Sequence, residues 1–465
     1  MAAQCQNDPA SQPVRDCGCP CHANAMPLQT AAARPAVTRL AAPLLLASML
    51  GAAALPASAA EWSVSGFGTL GYARSDRPYT YQRFIDDDGT FDRDSVIGLQ
   101  ADAKFGNEFG ATVQVKGAPS SRSDDRYAAT LAWAFVSYRP SNDWLLRAGK
   151  QRIPIYLYSA NYDVGATYDF ARLPTEMYSI SPSNDFVGVS AVKSWALVGS
   201  ELSLDAYWGK SNAHFRFWLR DDIAGVQRAG PLFVAIEVEA ASLALSLKHN
   251  DDSYRLGIGR AVLSQPHGRV FVRTYPFVAL APGVGYFQVS PSLPGPGIPT
   301  VDRFTFNLIN VGAEVALGSG WRVVGEAARS FVPDMDISAA STRGYAALLK
   351  RAGPWTPYAS YAFLRSSRRP LELYRQVSNS AVPAAVPGAA AINAAQRAGA
   401  DGLIVYDQSS VAVGTSYSFS ATSKLKAEVM RTRIGEGSSL VDAPPGGSVR
   451  QQAIHVLSLS YSVVF

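Results

Sequence analysis

Cysteine is confined to the start of the sequence. The chain has 465 residues and four cysteines, and all four precede residue 22. The long remainder therefore has no disulfide framework and must be stabilised by other means. Charge is also sparse, with 17% charged residues against 48% hydrophobic ones. A chain of this length and composition can form one large domain or several small ones.

Long apolar runs are missing as well. Beyond the N-terminal region, no stretch of the sequence reaches the roughly 18 consecutive apolar residues that a membrane-spanning helix needs. A protein that crosses a membrane with helices is therefore disfavoured. Any membrane contact would have to use a different kind of secondary structure.

The N-terminal region has the features of a secretory leader. Residues 34–60 read RPAVTRLAAPLLLASMLGAAALPASAA, with two arginines before the apolar run and small residues at its end. This pattern predicts a signal peptide over residues 1–60, with the true start at Met26. An uncleaved helical anchor is the alternative, and Pro43 and Pro56 disfavour it. Cleavage would remove the cysteine-rich CGCPCH stretch, so no metal site and no cofactor is expected.

The rest of the sequence alternates apolar and polar residues. In VIGLQADAKFGNEFGATVQVK, residues 96–116, two alternating segments flank a turn at residues 106–108. One face of each segment is apolar and the other is polar, which predicts a β-hairpin. The same pattern recurs six more times along the chain. With a first strand near residues 62–73 and a last one ending at Phe465, the expected number is sixteen strands.

The connections between these strands are of two kinds. The turns inside hairpins are short, and each is flanked by an aromatic residue: Phe105, Phe109, Tyr138, Trp144, Trp195, Tyr254, Trp321, Trp355 or Phe419. Most links between hairpins are long, at residues 74–92, 153–183, 211–233, 264–302 and 367–406. Aromatic residues repeated at one level are typical of a membrane-water boundary. A soluble lectin or adhesin sandwich remains the alternative, because alternation alone does not distinguish the two.

The C-terminal segment HVLSLSYSVVF supports the membrane interpretation. Its apolar residues share one parity up to Phe465, while Ser458, Ser460 and Ser462 share the other. A sheet in lipid must close on itself so that every backbone group is paired. We therefore predict an all-β fold, a transmembrane antiparallel barrel formed by the single domain 61–465. The short turns are expected in the periplasm and the long links outside the cell.

Three segments resemble the Gram-negative general porins: WSVSGFGTLGY, LRAGKQRIPIYLYSANYDVGATYDFARLPTEMYS and the terminal SYSVVF. The resemblance implies a trimeric, sixteen-stranded outer-membrane barrel that forms a water-filled channel. It also implies contact with lipid and lipopolysaccharide, and recognition of Tyr461 and Phe465 by the barrel-assembly machinery. The expected solutes are small and polar, and no nucleic-acid partner is expected.

The same resemblance implies that the third outer link, residues 153–183, counting the shorter one after Lys116, folds into the lumen and narrows it. Its carboxylates would form the acidic side of a constriction: Asp163, Asp169 and Glu176. Basic residues of the strands would face them: Lys150, Arg152, Lys104, Lys116, Arg255, Arg322 and Lys426. Lys150 and Arg147 lie on opposite parities, so the inward face of strand 144–152 stays open. Thr175 is an insertion relative to the family motif, which sets Glu176 apart from the family pattern.

Two functions of the same architecture remain open. One is a general diffusion porin, and the other is a channel specific for a sugar or an anion. A structural or adhesin barrel is a third and less favoured alternative. No enzyme is expected, because His267 and Ser264 lack the glycine-flanked turn of a hydrolase nucleophile. DDDG at residues 86–89 is interpreted as a solvated loop, and the low-complexity stretch at 381–402 predicts either a short helix or disorder.

Overall fold

The computed structural model describes residues 60–181, 184–223, 227–333 and 335–465. The four cysteines, Met26 and nearly all of the predicted leader lie outside these residues. Among the residues described, no helix is both long enough and apolar enough to cross a membrane.

Sixteen strands form one closed antiparallel barrel, in which each strand pairs with its neighbours along the chain. They are β1 (Glu61–Ser75), β2 (Val96–Phe105), β3 (Phe109–Pro119), β4 (Tyr127–Ser141), β5 (Trp144–Arg152), β6 (Asp185–Leu197), β7 (Ser200–Leu219), β8 (Gly230–His249), β9 (Asp252–Ser264), β14 (Arg303–Gly318), β15 (Trp321–Phe331), β16 (Ser341–Lys350), β17 (Trp355–Ser366), β18 (Tyr406–Ser418), β19 (Ser423–Ser438) and β20 (Ala453–Val464). The predicted sixteen-stranded barrel is therefore confirmed.

The remaining elements lie in the long links. Four short strands occupy the link between β9 and β14: β10 (Phe271–Val272), β11 (Phe277–Ala281), β12 (Val284–Phe287) and β13 (Thr300–Val301). The helices are α1 (Thr175–Tyr178), α2 (Arg368–Asn379) and α3 (Ala389–Asp401). Helix α3 confirms the helical alternative for residues 381–402, whereas α2 was not anticipated. Helix α2 buries Leu373 and Val377 against Phe287 of the link that carries the short strands.

The two ends of the barrel differ as predicted. All seven connections inside the hairpins are short, from two residues at 198–199 to four at 351–354. The connections at the other end run to 38 residues at 265–302 and 39 at 367–405. We refer to these as the short-turn end and the long-link end.

One predicted link is mostly strand. Residues 211–233 were expected to be a long link. Strand β7 continues to Leu219 and β8 begins at Gly230, so the connection is only 220–229. Alternating aromatic and polar residues in SNAHFRFWL give this segment a strand period, which favours a continued strand over an irregular link. Strand β6 stops pairing with β7 at Lys210, and β9 stops pairing with β8 at Glu237. Beyond those points β7 and β8 pair only with each other, and we call this extension the β7–β8 ribbon.

The barrel is apolar outside and polar inside. On β20, Leu457 and Leu459 are 46% and 44% exposed, while Ser458 and Ser460 are 3% and 4% exposed. The same outward exposure of aliphatic side chains recurs around the wall, for example at Val189, Ile258 and Val413. A soluble sandwich buries its apolar faces, so this inverted pattern is the one expected of a barrel in lipid.

Exposed aromatic residues ring the short-turn end. They are Trp62, Phe109, Tyr138, Trp144, Trp195, Tyr254, Trp321, Trp355, Phe419 and Tyr461. Neighbouring members contact each other, as in the stacked pair Phe109 and Tyr138, whose ring centroids are 4.8 Å apart. Rings of this kind combine an apolar body with a polar edge, which suits the interface between lipid and water.

Phe465 completes the closure of the barrel. Its backbone N–H donates to the carbonyl of Gly66 at 2.9 Å, and the N–H of Gly66 donates to the carbonyl of Phe465 at 2.7 Å. A Cβ on residue 66 would lie 2.5 Å from the Phe465 ring, so glycine leaves room for that ring. The terminal residue is therefore the last rung between β20 and β1.

The length asymmetry predicts the orientation in the membrane. Cysteine introduced at Ser292, in the link 265–302, should be labelled by an impermeant maleimide on intact cells, because that link is expected outside the cell. Cysteine at Asp251, in a tight turn, should be labelled only after the cells are opened. Both positions are exposed, and the chain beyond residue 21 has no other cysteine. Labelling of intact cells at position 251 alone would reverse the orientation.

The terminal rung predicts an assembly defect. Phe465→Ala should lower the amount of folded barrel in the outer membrane severalfold, as expected if the terminal aromatic is read during insertion. Phe419→Ala is a matched control, because Phe419 belongs to the same ring and is 58% exposed against 65% for Phe465. Heat-modifiable migration of membrane extracts measures the folded fraction. Equal yields of the two variants would remove any special role of the terminus.

Candidate functional site

The link between β5 and β6 crosses the barrel. It comprises residues 153–184, described apart from 182 and 183, and we call it the inner link. It leaves and re-enters the wall at Arg152 and Asp185, which are paired in the sheet. Its middle contacts the inner faces of strands β14 to β20, on the far side of the barrel. For example, the N–H of Ala171 donates to the Tyr358 hydroxyl of β17 at 2.9 Å.

Aromatic side chains hold the inner link to the wall. Phe170 meets Tyr358 of β17 with ring centroids 5.1 Å apart, and Tyr178 meets Tyr345 of β16 at 6.4 Å. The hydroxyl of Tyr178 also donates to Glu326 on β15, and Tyr345 donates to the same carboxylate at 3.0 Å. The tyrosines of this link therefore pack against the wall, and their hydroxyl groups are used in docking.

Asp163 is held by two basic residues of the wall. Its Oδ2 lies 2.8 Å from Lys116 Nζ and 2.5 Å from Arg152 Nη2. Arg152 also contacts Asp185 at 3.1 Å, which ties the two ends of the inner link together. Burial alone would raise the pKa of Asp163, but the two cations outweigh that effect and lower the pKa to about 2. The carboxylate is therefore ionised at any physiological pH.

Asp169 forms a second group of ion pairs farther along the link. Lys424 Nζ and Ser416 Oγ each lie 2.8 Å from its Oδ1, and Arg322 binds its Oδ2. Burial would raise the pKa of Asp169, but the hydrogen bond and charge of Lys424, with Arg322, hold it below its usual range. Arg322 is shared with Glu314 at 2.8 Å. Two carboxylates of the inner link thus dock at different parts of the wall, Asp163 at β3 and β5 and Asp169 at β15, β18 and β19.

Two further basic residues bind backbone carbonyls of the link. Lys426 is almost fully buried, with its Nζ 2.5 Å from the carbonyl of Gly165 and 4.1 Å from the centre of the Tyr168 ring. Arg255 donates to the carbonyl of Ile155 at 3.1 Å and to that of Pro154. Of the predicted basic residues, Lys116, Arg152, Arg255, Arg322 and Lys426 are therefore brought to the inner link.

Glu176 lies apart from these cations. It is 1% exposed and accepts hydrogen bonds from Gln408 at 2.7 Å and from Ser410, both on β18. Among the described residues no basic group lies within 4 Å of it, and its Oε2 has no partner. The expected pairing of Glu176 with the basic wall is therefore not observed. Thr175, the inserted residue next to Glu176, accepts a hydrogen bond from Gln82 at 2.6 Å.

Two residues predicted for the basic side of the constriction, Lys150 and Lys104, lie elsewhere, and that prediction is wrong. Lys150 is paired with Val187, which is 59% exposed on the outer face, so Lys150 points out of the barrel. Arg147 takes the inward position, 5.3 Å from the Phe135 ring. The backbone of Gly149 has φ of +130°, and the alternation of exposure breaks down just after it. Lys104 lies at the short-turn end, largely exposed and 3.9 Å from Glu61.

Some site residues were not anticipated. Lys424 shares the polar face of β19 with Lys426, so its position next to a predicted residue was a usable signal. Arg172 of the inner link binds Asp94 at 2.8 Å. Burial alone would lower the pKa of Arg172, but the Asp94 carboxylate outweighs that effect and raises the pKa above its usual value. No local pattern in the sequence indicates that pair, because its members are 78 residues apart.

The two larger cavities beside the inner link differ in polarity. The first, of about 390 Å³, is lined by the charged side chains of Arg83, Arg93, Asp94, Lys116, Asp163, Arg172, Arg216 and Lys426. The second, of about 340 Å³, is largely apolar. The β7–β8 ribbon lines both, with Arg216 and Phe233 at the charged cavity, Phe217 and Val234 at the apolar one, and Phe215 at both. Arg216 fixes the ribbon through Asp442 at 2.6 Å and Asp124 at 2.7 Å.

Comparison with known proteins gives structural matches only. No family model matches the chain, and no curated protein matches it. Among solved structures, the chain is similar to a loop L8 deletion mutant of OmpT, an outer membrane protein of Vibrio cholerae. The two share 12% identity and a TM-score of 0.48, over 88% of this chain and 100% of that one.

Two further structures are similar at 10% identity and a TM-score of 0.46. One is an anion-selective porin from Comamonas acidovorans, matched over 88% of this chain and 100% of that one. The other is the outer membrane channel DcaP of Acinetobacter baumannii, matched over 88% of this chain and 98% of that one. By its own strand order the chain is, in fold, a closed sixteen-stranded antiparallel barrel.

Proposed function

We propose that this protein is an outer-membrane channel for the passive diffusion of small hydrophilic solutes and ions. The observation that carries the proposal is a closed barrel with an apolar outer face and a polar inner wall, narrowed by a link docked inside it. A sixteen-stranded barrel is wide enough to leave an aqueous passage unless something fills it. The proposal includes export by the predicted leader, insertion by the barrel-assembly machinery, contact with lipid and lipopolysaccharide, and a homotrimer.

The docked link supports a passive mechanism. Ion pairs at Asp163 and Asp169 and the aromatic packing hold it at several points, so its charges stay fixed as solutes pass. Fixed charges at a narrowing rank solutes by charge and size without any energy input. A Ser–His contact, Ser200 Oγ to His249 Nδ1 at 2.7 Å, lies on an exposed tight turn and lines neither cavity, so it does not favour an enzyme.

The charged cavity favours anions. Six cationic side chains line it (Arg83, Arg93, Lys116, Arg172, Arg216 and Lys426) against the carboxylates of Asp94 and Asp163. Asp124 and Asp442 neutralise part of this charge from behind the lining, through Arg83 and Arg216. An excess of positive charge along a narrow passage raises the local concentration of anions. We therefore expect a modest preference for chloride over potassium.

Removing one carboxylate tests both the location and the sign of this field. Asp163→Asn should raise the ratio of anion to cation permeability by roughly a factor of two, because Lys116 in the cavity lining loses its counter-charge. The measurement is the reversal potential of the purified protein in a planar bilayer under a KCl gradient. Glu176→Gln is the control, and it should leave the ratio unchanged because Glu176 is buried away from both cavities. A shift for Glu176→Gln and none for Asp163→Asn would contradict this arrangement.

The pKa of Asp163 predicts when the inner link loosens. With a pKa of about 2 when docked and an ordinary value of 3.8 when free, ionisation stabilises docking by about 2 kcal/mol above pH 4. That contribution is lost as the pH falls from about 4 to 2. Single-channel conductance should therefore change as the pH falls below 4. Asp163→Asn should remove much of the change below pH 4, and an equal change in Asp163→Asn and in the unmodified protein would contradict this role of Asp163.

A further inference from the structure

The apolar cavity is unusual for the interior of an aqueous channel. Phenylalanine side chains from three parts of the chain line it: Phe215, Phe217, Phe271, Phe304 and Phe306. Phe271 and Phe304 meet edge to face with ring centroids 4.8 Å apart. The lumen of a barrel channel is ordinarily polar, and apolar surface left in contact with water is unfavourable. The cavity is therefore suited to an apolar occupant.

A cation without a counter-charge lies at the edge of this cavity. Arg343 of β16 lines the cavity and is 2% exposed. Its hydrogen-bond partners are hydroxyl groups, with Nη2 2.7 Å from Tyr156 Oη and Nη1 3.2 Å from Ser341 Oγ. Among the residues that the structure describes, no carboxylate lies within 4 Å of its guanidinium group. Within the described part of the chain, the buried positive charge of Arg343 is thus balanced by neutral hydroxyl groups.

Two polar atoms at the same place have no partner at all. The Nε of Arg343 is buried without a hydrogen bond, and so is the Oγ of Ser338, which lines the same cavity. An unsatisfied buried donor on a charged group is costly unless something binds it. The arginines Arg83 and Arg216 of the charged cavity differ in having a counter-charge, since each binds a carboxylate at 2.6 Å.

We propose that this cavity binds an organic acid with one carboxylate and a small aromatic or aliphatic body. The carboxylate accepts hydrogen bonds from the planar guanidinium of Arg343, whose geometry suits a carboxylate, and from the Ser338 hydroxyl. The apolar body lies among the phenylalanine side chains. A volume of about 340 Å³ is at the lower end for ligand pockets, so the body is no larger than a single ring with a short chain.

The proposal makes the channel substrate-specific, and it rests on the proposed function for the route by which the acid reaches the cavity. A sugar would need several hydrogen-bonding groups around an aromatic platform. The cavity instead offers a mainly apolar lining with a polar group at one side. Among the two kinds of specific solute left open by the sequence, the anion is therefore favoured.

The unmodified protein provides the first test. Isothermal titration of the purified, folded barrel with 4-phenylbutyrate should show saturable binding. Neither 4-phenylbutan-1-ol, which has the same ring without a carboxylate, nor butyrate, which has the carboxylate without the ring, should bind within about tenfold of it. Equal affinity for 4-phenylbutyrate and the alcohol would overturn the role of Arg343, and absence of binding would overturn the site.

Variants then locate the carboxylate. Arg343→Gln should weaken 4-phenylbutyrate binding about tenfold, because a hydrogen bond to a charged group is lost, and Arg343→Lys should restore part of the affinity. Arg329→Gln is a matched control, since Arg329 lies on the neighbouring strand β15 and faces outward. Heat-modifiable migration confirms that each variant is folded. Unchanged binding in folded Arg343→Gln would overturn the proposal.

Conductance separates this inference from the channel function. If the unmodified protein conducts KCl in a planar bilayer but does not bind 4-phenylbutyrate, the inference fails and the channel stands. If it binds 4-phenylbutyrate through Arg343 but does not conduct, the site stands and the channel function fails. A reduction of the KCl current by added 4-phenylbutyrate, absent in Arg343→Gln, would support both.

Discussion

The pairing of β1 with β20 is the interaction on which the rest of the structure depends. A sheet surrounded by lipid has no water to satisfy a free edge, so its first and last strands must meet. Here they pair from Ser75 and Val456 to Phe67 and Val464, and the terminal Phe465 adds one more rung at Gly66. Once the wall holds itself through its backbone, its outer face needs only to be apolar. Its inner face is then free to carry charge, and the inner link can be docked there.

Docking of the inner link follows from what that inner face offers. The barrel interior is too wide to be filled by strand side chains alone, so a link that enters it must bring its own packing. It does so with aromatic rings near Tyr345 and Tyr358 and with carboxylates placed opposite lysine and arginine. Buried ion pairs of this kind are costly to break because they leave a single charge in a poorly solvated place. The charges that position the link are therefore largely neutralised by one another. The remaining positive charge comes from the other arginines that line the charged cavity.

The sequence predicted what depends on local pattern and failed where partners are distant. The number of strands, the positions of the turns and the belt of exposed aromatic residues follow from an alternation with a period of two residues. That alternation is visible in neighbouring residues of the sequence. Asp163 and Asp169 were recognised with several of their basic partners, because acidic residues in a tyrosine-rich link suggested a docked segment. Lys150 was misplaced, since Gly149 interrupts the alternation that would have oriented it. Arg343 was missed altogether, because a cation without a counter-charge is recognised only when everything around it is known.

One side chain of the inner link lies both at the proposed acid site and in the packing that docks the link. Tyr156 lies in the aromatic packing that docks the link, and its hydroxyl group accepts the hydrogen bond from Arg343 Nη2. A carboxylate bound to that guanidinium group would compete with Tyr156 for the same donor. Because Tyr156 also contacts the ring of Tyr178, which is bonded to Glu326, a shift of its hydroxyl group would reach the contacts that hold the link to β15. An organic acid bound to Arg343 is therefore expected to disturb the contacts that hold the inner link to β15, and with them the width of the passage beside the link.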